Sequence, residues 1–159
     1  MGDDPRIIDP LIQALKNNPD EGGDLSDIAD TLVDIGAPAV DPLIQLLKDK
    51  NLESSRRSRV VEALGEIKDP RAVEPLIENL KDDYACDESA VALKRIGGRT
   101  VDQLILALKS ENPLMRERAA YALGYIEDQR AINPLKELLK DENEDVRNSA
   151  ERALGILGG

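Results

Sequence analysis

The side chains able to do chemistry in this 159-residue chain are few. There is one cysteine, Cys86, set in Asp82-Asp83-Tyr84-Ala85-Cys86-Asp87-Glu88. A reactive thiol needs a lowered pKa, and the neighbouring carboxylates act the other way, so a small, inert Cys is expected. The same carboxylates lack the alternating ligands and turn glycine of a calcium loop and read as a solvated acidic turn. Arg56, Arg57 and Arg59 form the densest basic cluster, too short and isolated for a nucleic-acid site. Ser54 or Ser55 beside it is placed to cap a helix. The sequence has no His, Trp or Phe and three tyrosines, Tyr84, Tyr121 and Tyr125. Without His, Ser-His-Asp and Cys-His catalysis, His-ligated zinc or haem, and an imidazole pH switch are all excluded. No catalytic residue, metal ligand or cofactor site is expected from this inventory.

Charge narrows the partners. Lys plus Arg number 21 against 32 Asp plus Glu, a net charge of −11. Such a chain repels nucleic acid and anionic membranes and suits a neutral-to-basic protein or peptide. No 18-residue apolar run is present, Met1-Gly2-Asp3-Asp4 opens acidic where a signal peptide is basic and apolar, and Arg6 stands where a myristoylation signal needs Ser or Thr. A lone Cys fits a reducing compartment, so a cytoplasmic location is expected.

Internal repetition sets the elements that must carry these residues. Five segments align on Pro10, Pro42, Pro75, Gln103 and Pro134, at steps of 32, 33, 28 and 31 residues. Two positions earlier stands Ile8, Val40, Val73, Val101 or Ile132. The next residue is always Leu (Leu11, Leu43, Leu76, Leu104, Leu135), five positions on is Leu again (Leu15, Leu47, Leu80, Leu108, Leu139), and the sixth is Lys. A second pattern alternates with it: Leu32 to Ile35, Leu64 to Ile67, Leu93 to Ile96, Leu123 to Ile126 and Leu154 to Leu157. The spacings place the apolar residues on one face of a helix. The proline falls within the first turn or so, where a missing N–H costs least. Second helices run to Gly36, Gly97 or Gly158, and Asn18-Pro19, Asn112-Pro113 and Asp141-Glu142-Asn143 break the chain between helices. Gly65, Gly124 and Gly155 lie inside second helices, where each weakens its helix by about 1 kcal/mol relative to Ala unless a neighbouring helix comes close. The reading is one domain over residues 1–159, with repeats at approximately 5–36, 37–69, 70–97, 98–127 and 128–159. It is an all-α chain of five two-helix units with an aliphatic core.

The runs Asp69-Pro70-Arg71-Ala72-Val73-Glu74-Pro75-Leu76-Ile77, Met115-Arg116 through Ala119-Ala120-Tyr121-Ala122-Leu123-Gly124, and Asp145-Val146-Arg147 followed by Ala150 and Ala153-Leu154-Gly155 resemble the short HEAT-like repeats typified by phycobilisome lyases. The resemblance covers essentially the whole chain. It implies a right-handed, armadillo-like α-solenoid with first helices outside, second helices on an inner concave face, and Asp-to-Arg staples between neighbours. Arg57, Arg116 and Arg147 stand at the staple position; Leu25 and Cys86 replace it in units one and three, so irregularity is expected there.

Helical phase, at 100° per residue, puts Met115, Ala119, Ala122, Leu123 and Ile126 in the core and Leu114, Tyr121 and Tyr125 on a separate flank. Register transfers that flank to Asp27, Asp30 and Asp34, to Arg59, Glu62 and Glu66, to Tyr84, Glu88, Val91 and Arg95, and to Asp145, Ser149, Arg152 and Ile156. Exposed Tyr with Arg and apolar neighbours has the composition of an interface hot spot. The expected partner-binding residues are Tyr84, Val91, Arg95, Leu114, Arg118, Tyr121, Tyr125, Arg152 and Ile156; the tyrosines can equally cover helix seams. The leading expectation is a protein-binding scaffold that is not an enzyme. The alternative is a phycobilin-lyase-like accessory protein that binds a tetrapyrrole or its acceptor protein. Among other families of this fold, the di-iron hydroxylases use His-Glu ligands that this chain lacks, and HEAT-like DNA glycosylases need a basic groove. Self-association through the C-terminal repeat is a further way to close the last unit.

Overall fold

A computed structural model describes residues 5–17 and 25–158. Among them are ten α-helices: α1 (Pro5–Asn17), α2 (Leu25–Ile35), α3 (Ala37–Leu47), α4 (Ser54–Ile67), α5 (Val73–Asn79), α6 (Cys86–Ile96), α7 (Thr100–Ala107), α8 (Pro113–Ile126), α9 (Ile132–Leu138) and α10 (Glu144–Leu157). Odd-numbered helices are the first helices of the repeats and even-numbered ones the second. Each second helix packs on the next, α2 on α4, α4 on α6, α6 on α8 and α8 on α10, while α1, α3, α5 and α7 form a parallel series. The hairpins therefore stack in chain order, as a solenoid requires. Their stripes merge into one core running from Ile8 to Leu157, with Leu15, Leu32, Leu43, Leu64, Leu76, Leu80, Leu93, Leu104, Leu123 and Leu135 fully buried. No aromatic ring enters it.

Local chemistry explains most helix ends. Asn112 and Asn143 cap α8 and α10, their side chains accepting from the N–H of Leu114 and of Asp145 and Val146. Asp69 and Asp128 accept from the N–H of Arg71 and Arg130 and so open short 3-10 turns, Pro70–Ala72 and Gln129–Ala131, ahead of α5 and α9. Those turns bring Pro75 and Pro134 into the first α-helical turn, whereas Pro10 and Pro42 lie deeper inside α1 and α3 than expected. There the helix simply continues through them, forgoing one main-chain hydrogen bond. Neither Ser54 nor Ser55 caps α4: Glu53 holds the N-cap position, and the Ser55 hydroxyl donates to its carboxylate at 3.1 Å. Helices α4 and α8 end on Lys68 and Glu127 with left-handed φ of 59° and 63°, without a glycine. The break expected at Asn18-Pro19 lies outside the described residues.

Two kinds of contact fix how repeats meet. The first uses the interior glycines. A Cβ on Gly65 would lie 2.8 Å from the Cα and Cβ of Ala92, and one on Gly124 would lie 2.9 Å from those of Ala153. The missing side chain lets α6 seat on α4 and α10 seat on α8. The second kind is the staple. Arg116 makes a two-pronged contact with Asp141 of the next unit, Nε to Oδ2 and Nη2 to Oδ1, both at 2.8 Å, and its Nη1 donates to the carbonyls of Ser110 and Glu111. Arg57 meets Asp82 at 3.1 Å in the same register and donates to the carbonyls of Leu47, Asp49 and Leu52. Arg56 is also buried, its Nη1 donating to the Leu15 carbonyl at 3.0 Å. Two members of the basic cluster are thus structural. The staple is absent where the substitutions fall: Cys86 and Ser110 occupy the Arg and Asp positions between units three and four, and Asp49 meets Lys16 at 2.8 Å.

Gly124→Ala, and likewise Gly65→Ala, should cost about 1–3 kcal/mol by forcing helices apart. Gly155, with nothing within 4 Å of its notional Cβ, should instead gain about 1 kcal/mol on change to Ala. Chemical denaturation of the three variants separates these outcomes. The Arg116 guanidinium holds the Asp141 carboxyl below the usual carboxylate range. A lowered folded pKa contributes stability that is present above the unfolded value, about 3.9, and lost as pH falls through the folded one. Asp141→Ala should therefore cost about 3 kcal/mol at neutral pH, and its gap from the parent should shrink as pH drops below about 4.

Candidate binding face

The second helices present a face on which three grooves are cut; one, of about 430 Å³, lies between α2 and α4, and the other two hold residues singled out from the sequence. The larger, about 1000 Å³, lies between α4 and α6, with Leu25 at one edge. Val91 and Ala92 give it an apolar floor, and Glu53, Glu62, Asp87 and Glu88 supply carboxylates. Its two arginines are engaged: Arg59 with Glu62 at 2.8 Å, Arg95 with Glu66 at 2.6 Å. Glu88 accepts a long 3.4 Å hydrogen bond from the Ser58 hydroxyl. The groove is acid-rich with its cations already paired. A smaller groove, about 290 Å³, lies between α8 and α10 and is lined by Arg118, Tyr121, Arg152 and Ile156 among others. Asp87 borders both.

Of the nine residues singled out from the sequence, Val91 and Arg95 line the larger groove, and Arg118, Tyr121, Arg152 and Ile156 the smaller. Tyr84, in the turn before α6, is 76% exposed and lines neither. Leu114 is half-buried at the start of α8, and Tyr125 lies under the Lys94 ammonium, 5.0 Å from the ring centre. Glu62, Asp87 and Glu88 belong to the site although they were not singled out. Their signal was present in the repeat register, since Glu62 and Glu88 share the flank of the tyrosines. What promotes them is the groove between their helices.

The seam between α6 and α8 joins the two grooves and, like the α2–α4 seam with Val33, lacks the interlocking glycine. Where α4 and α8 carry the interlocking glycine, α6 carries Lys94, whose ammonium donates to the Tyr125 carbonyl at 2.9 Å and to Glu127 at 3.1 Å. Arg118 bridges to Asp83 at 2.6 Å and to the Cys86 sulfur at 3.8 Å, leaving its buried Nε without a partner. The Tyr121 hydroxyl donates to Asp87 at 2.7 Å. Tyr121 and Tyr125 therefore both cover this seam and remain partly exposed, at 38% and 39%. Cys86 is buried, and burial pushes its thiol pKa up more than the nearby Asp87 and Glu117 do, with Arg118 opposing. An inert thiol is the result, as expected; the leading cause is desolvation, not the carboxylates.

The hydrogen bond to Asp87, then partial burial, raises the Tyr121 phenol to about 12. A raised folded pKa means the contribution is present below the unfolded value near 10 and is lost as pH rises through about 12. In an absorbance titration of tyrosinate, Tyr121 should ionise near pH 12, and Asp87→Asn should remove that late step. Tyr121→Phe should cost about 1 kcal/mol in the denaturant midpoint at pH 7.

Comparison with known proteins adds ancestry to this geometry. A family model of HEAT repeats matches residues 8–94 and 87–155. A deoxyhypusine hydroxylase of Danio rerio is 36% identical over 95 residues, which is 57% of this chain and 31% of that protein. The deoxyhypusine hydroxylase of Drosophila melanogaster is 29% identical over 101 residues, 62% of this chain and 31% of that protein. The chain thus spans about a third of the length of these curated relatives. The complex of CpcE and CpcF of phycocyanin lyase from Nostoc sp. PCC7120 superposes with a TM-score of 0.54 at 23% identity, covering 94% of this chain and 99% of that one, a likeness of fold. The expectation that the protein is not an enzyme is corrected by these relatives, which carry an enzyme's name. That expectation rested on the missing His, which tests one ligand set; kinship runs through the repeat frame. The His-Glu di-iron set does not fit the residues present: the sequence has no His, and among the described residues no three Asp, Glu or Cys side chains cluster as metal ligands. No helix among them is long and apolar enough to cross a membrane. The chain belongs to the HEAT-repeat family.

Proposed function

We propose that the second-helix face binds a neutral-to-basic protein segment, with the α4–α6 groove as the principal contact. The observation that carries this reading is the groove itself: an apolar floor of Val91 and Ala92 beneath carboxylates whose neighbouring arginines are already committed to Glu62 and Glu66. A basic side chain laid there would place its methylene stem on the floor and its charge among Glu53, Asp87 and Glu88. The acidic flank continues onto α2 through Asp27, Asp30 and Asp34, which extends the complementary field toward the first repeat. In the smaller groove, Arg152, Ile156 and the exposed edge of Tyr121 supply anchors of mixed character, the residue types enriched at hot spots.

The kinship with deoxyhypusine hydroxylases gives this reading an enzymatic setting. Deoxyhypusine is an amine-bearing residue, and an acid-lined groove is what such a cation requires. The proposal assigns holding of the cationic segment to this face. The fold likeness to phycocyanin lyase supports a surface of this shape and names no pigment contact here.

The test is binding of a lysine- and arginine-rich peptide, measured calorimetrically at several salt concentrations. Affinity should fall as salt rises. Glu88→Lys combined with Glu62→Lys should weaken binding at least about tenfold, the effect of some 1.4 kcal/mol. The same pair should leave the helical melting curve close to that of the parent. Equal affinity for an acidic peptide would overturn the reading.

A further inference from the structure

The turns that lead from a second helix into the next first helix follow two patterns. In those that open units three and five, Asp69 and Asp128 each hold the arginine two residues on. The carboxylate accepts from the main-chain N–H of Arg71 or Arg130 at 2.9 Å and from its Nε at 3.0 Å. The same guanidinium reaches back to Asp41 or Asp102 of the preceding unit. Units two and four open on a glycine in place of that aspartate, Gly36 and Gly97, with φ of 76° and 64°. Unit two has Pro38 at the arginine position, so no donor is left over. Unit four keeps the arginine, Arg99, without the aspartate. Among the described residues neither its main-chain N–H nor its guanidinium has an acceptor, and Glu74, which holds the position of Asp41 and Asp102, does not meet it.

A groove of about 600 Å³ opens at this place, between the α4–α5 and α6–α7 turns. It shares no lining residue with the three grooves of the second-helix face. Lys68, which also meets no carboxylate among the described residues, lines it with Arg99, beside the apolar side chains of Pro70, Val73 and Ile96. We propose that this groove binds a small carboxylic acid with an apolar body, its carboxylate standing on Arg99 where Asp69 and Asp128 stand in units three and five. The neighbouring turns define the acceptor: a planar anion with two oxygens, shared between the N–H and the guanidinium of one arginine. Lys68 supplies a second charge, and the apolar wall takes the rest of the molecule. An aspartate at position 97 could not fill the place without strain, because its side chain would be held at a left-handed φ. The space itself is open, the nearest atom to a notional Cβ on Gly97 being the Lys94 carbonyl oxygen at 3.9 Å.

The probe is phenylbutyrate, with phenylbutyramide as its uncharged counterpart, titrated into the isotope-labelled full chain and followed by heteronuclear NMR at the amides of Gly98 and residue 99. The Arg99 amide should move downfield as its N–H gains an acceptor, and the shift should saturate with a Kd of about 1 mM or below. Arg99→Gln should weaken binding, read at Gly98, at least about tenfold, and Glu74→Gln should strengthen it by removing a competing anion. Both side chains are exposed, so both variants should melt like the parent. Lys109→Gln, beyond the other end of α7, should leave binding unchanged. An Arg99 amide that does not respond overturns the proposal, as does equal binding of the amide counterpart or an equal loss in Arg99→Gln and Lys109→Gln. Inorganic phosphate that binds as tightly as phenylbutyrate and moves the same amides also overturns it, by showing a site for any anion in place of one for a carboxylic acid.

Discussion

How near one second helix can come to the next governs most of what this molecule does. At α4–α6 and α8–α10 the approach is so close that a methyl group on Gly65 or Gly124 would occupy the space of an alanine on the following helix. Dispersion contacts fall away steeply with distance, so a seam without side chains between backbones is both tight and narrowly specified. The aliphatic core needs that closeness. With no Phe or Trp to fill wide gaps, Leu, Val, Ile and Ala reach packing density only between helices set near together. The glycine therefore gives up local helix stability for a better fit across the seam.

The middle seam shows what happens when that device is absent. Lys94 replaces the glycine, Cys86 the arginine and Ser110 the aspartate, and polar bridges span the interval instead: Arg118 to Asp83, Tyr121 to Asp87, Lys94 to Glu127. Such exposed contacts are individually weak and respond to salt and pH more than buried glycine–alanine packing does. The two tyrosines lie at this place. Seam cover and partner surface were alternatives in the sequence; in the structure both tyrosines cover the seam, Tyr121 through its hydroxyl to Asp87 and Tyr125 beneath the Lys94 ammonium, and Tyr121 also lines the α8–α10 groove.

Charge is distributed to match. Buried arginines act as cross-links, satisfied by carbonyls and aspartates, so they contribute little to the field outside. Carboxylates of α4 and α6, with Glu53, line the larger groove, and Asp30 of α2 lines the groove beside it. A strongly acidic molecule can in this way hold basic residues in its interior seams while offering a negative face to a partner.

The sequence by itself determined the repeat frame, the helix pairs and the inward stripe, because a five-fold recurrence of Leu, Leu and Lys at fixed spacing admits one helical phase. It also marked the missing staple at Cys86 and the glycines that demand a close neighbour. It could not determine which glycine has one: Gly124 and Gly155 stand in the same local pattern, and only the stacked structure shows one filled and the other open. Nor could it promote Glu62, Asp87 and Glu88 over other surface acids, or show that Arg56 and Arg57 are buried cross-links. Those properties belong to the space between helices. Periodicity along one chain fixes the direction in which a side chain points, while its value as a ligand, a staple or a cover depends on what the neighbouring helix places opposite.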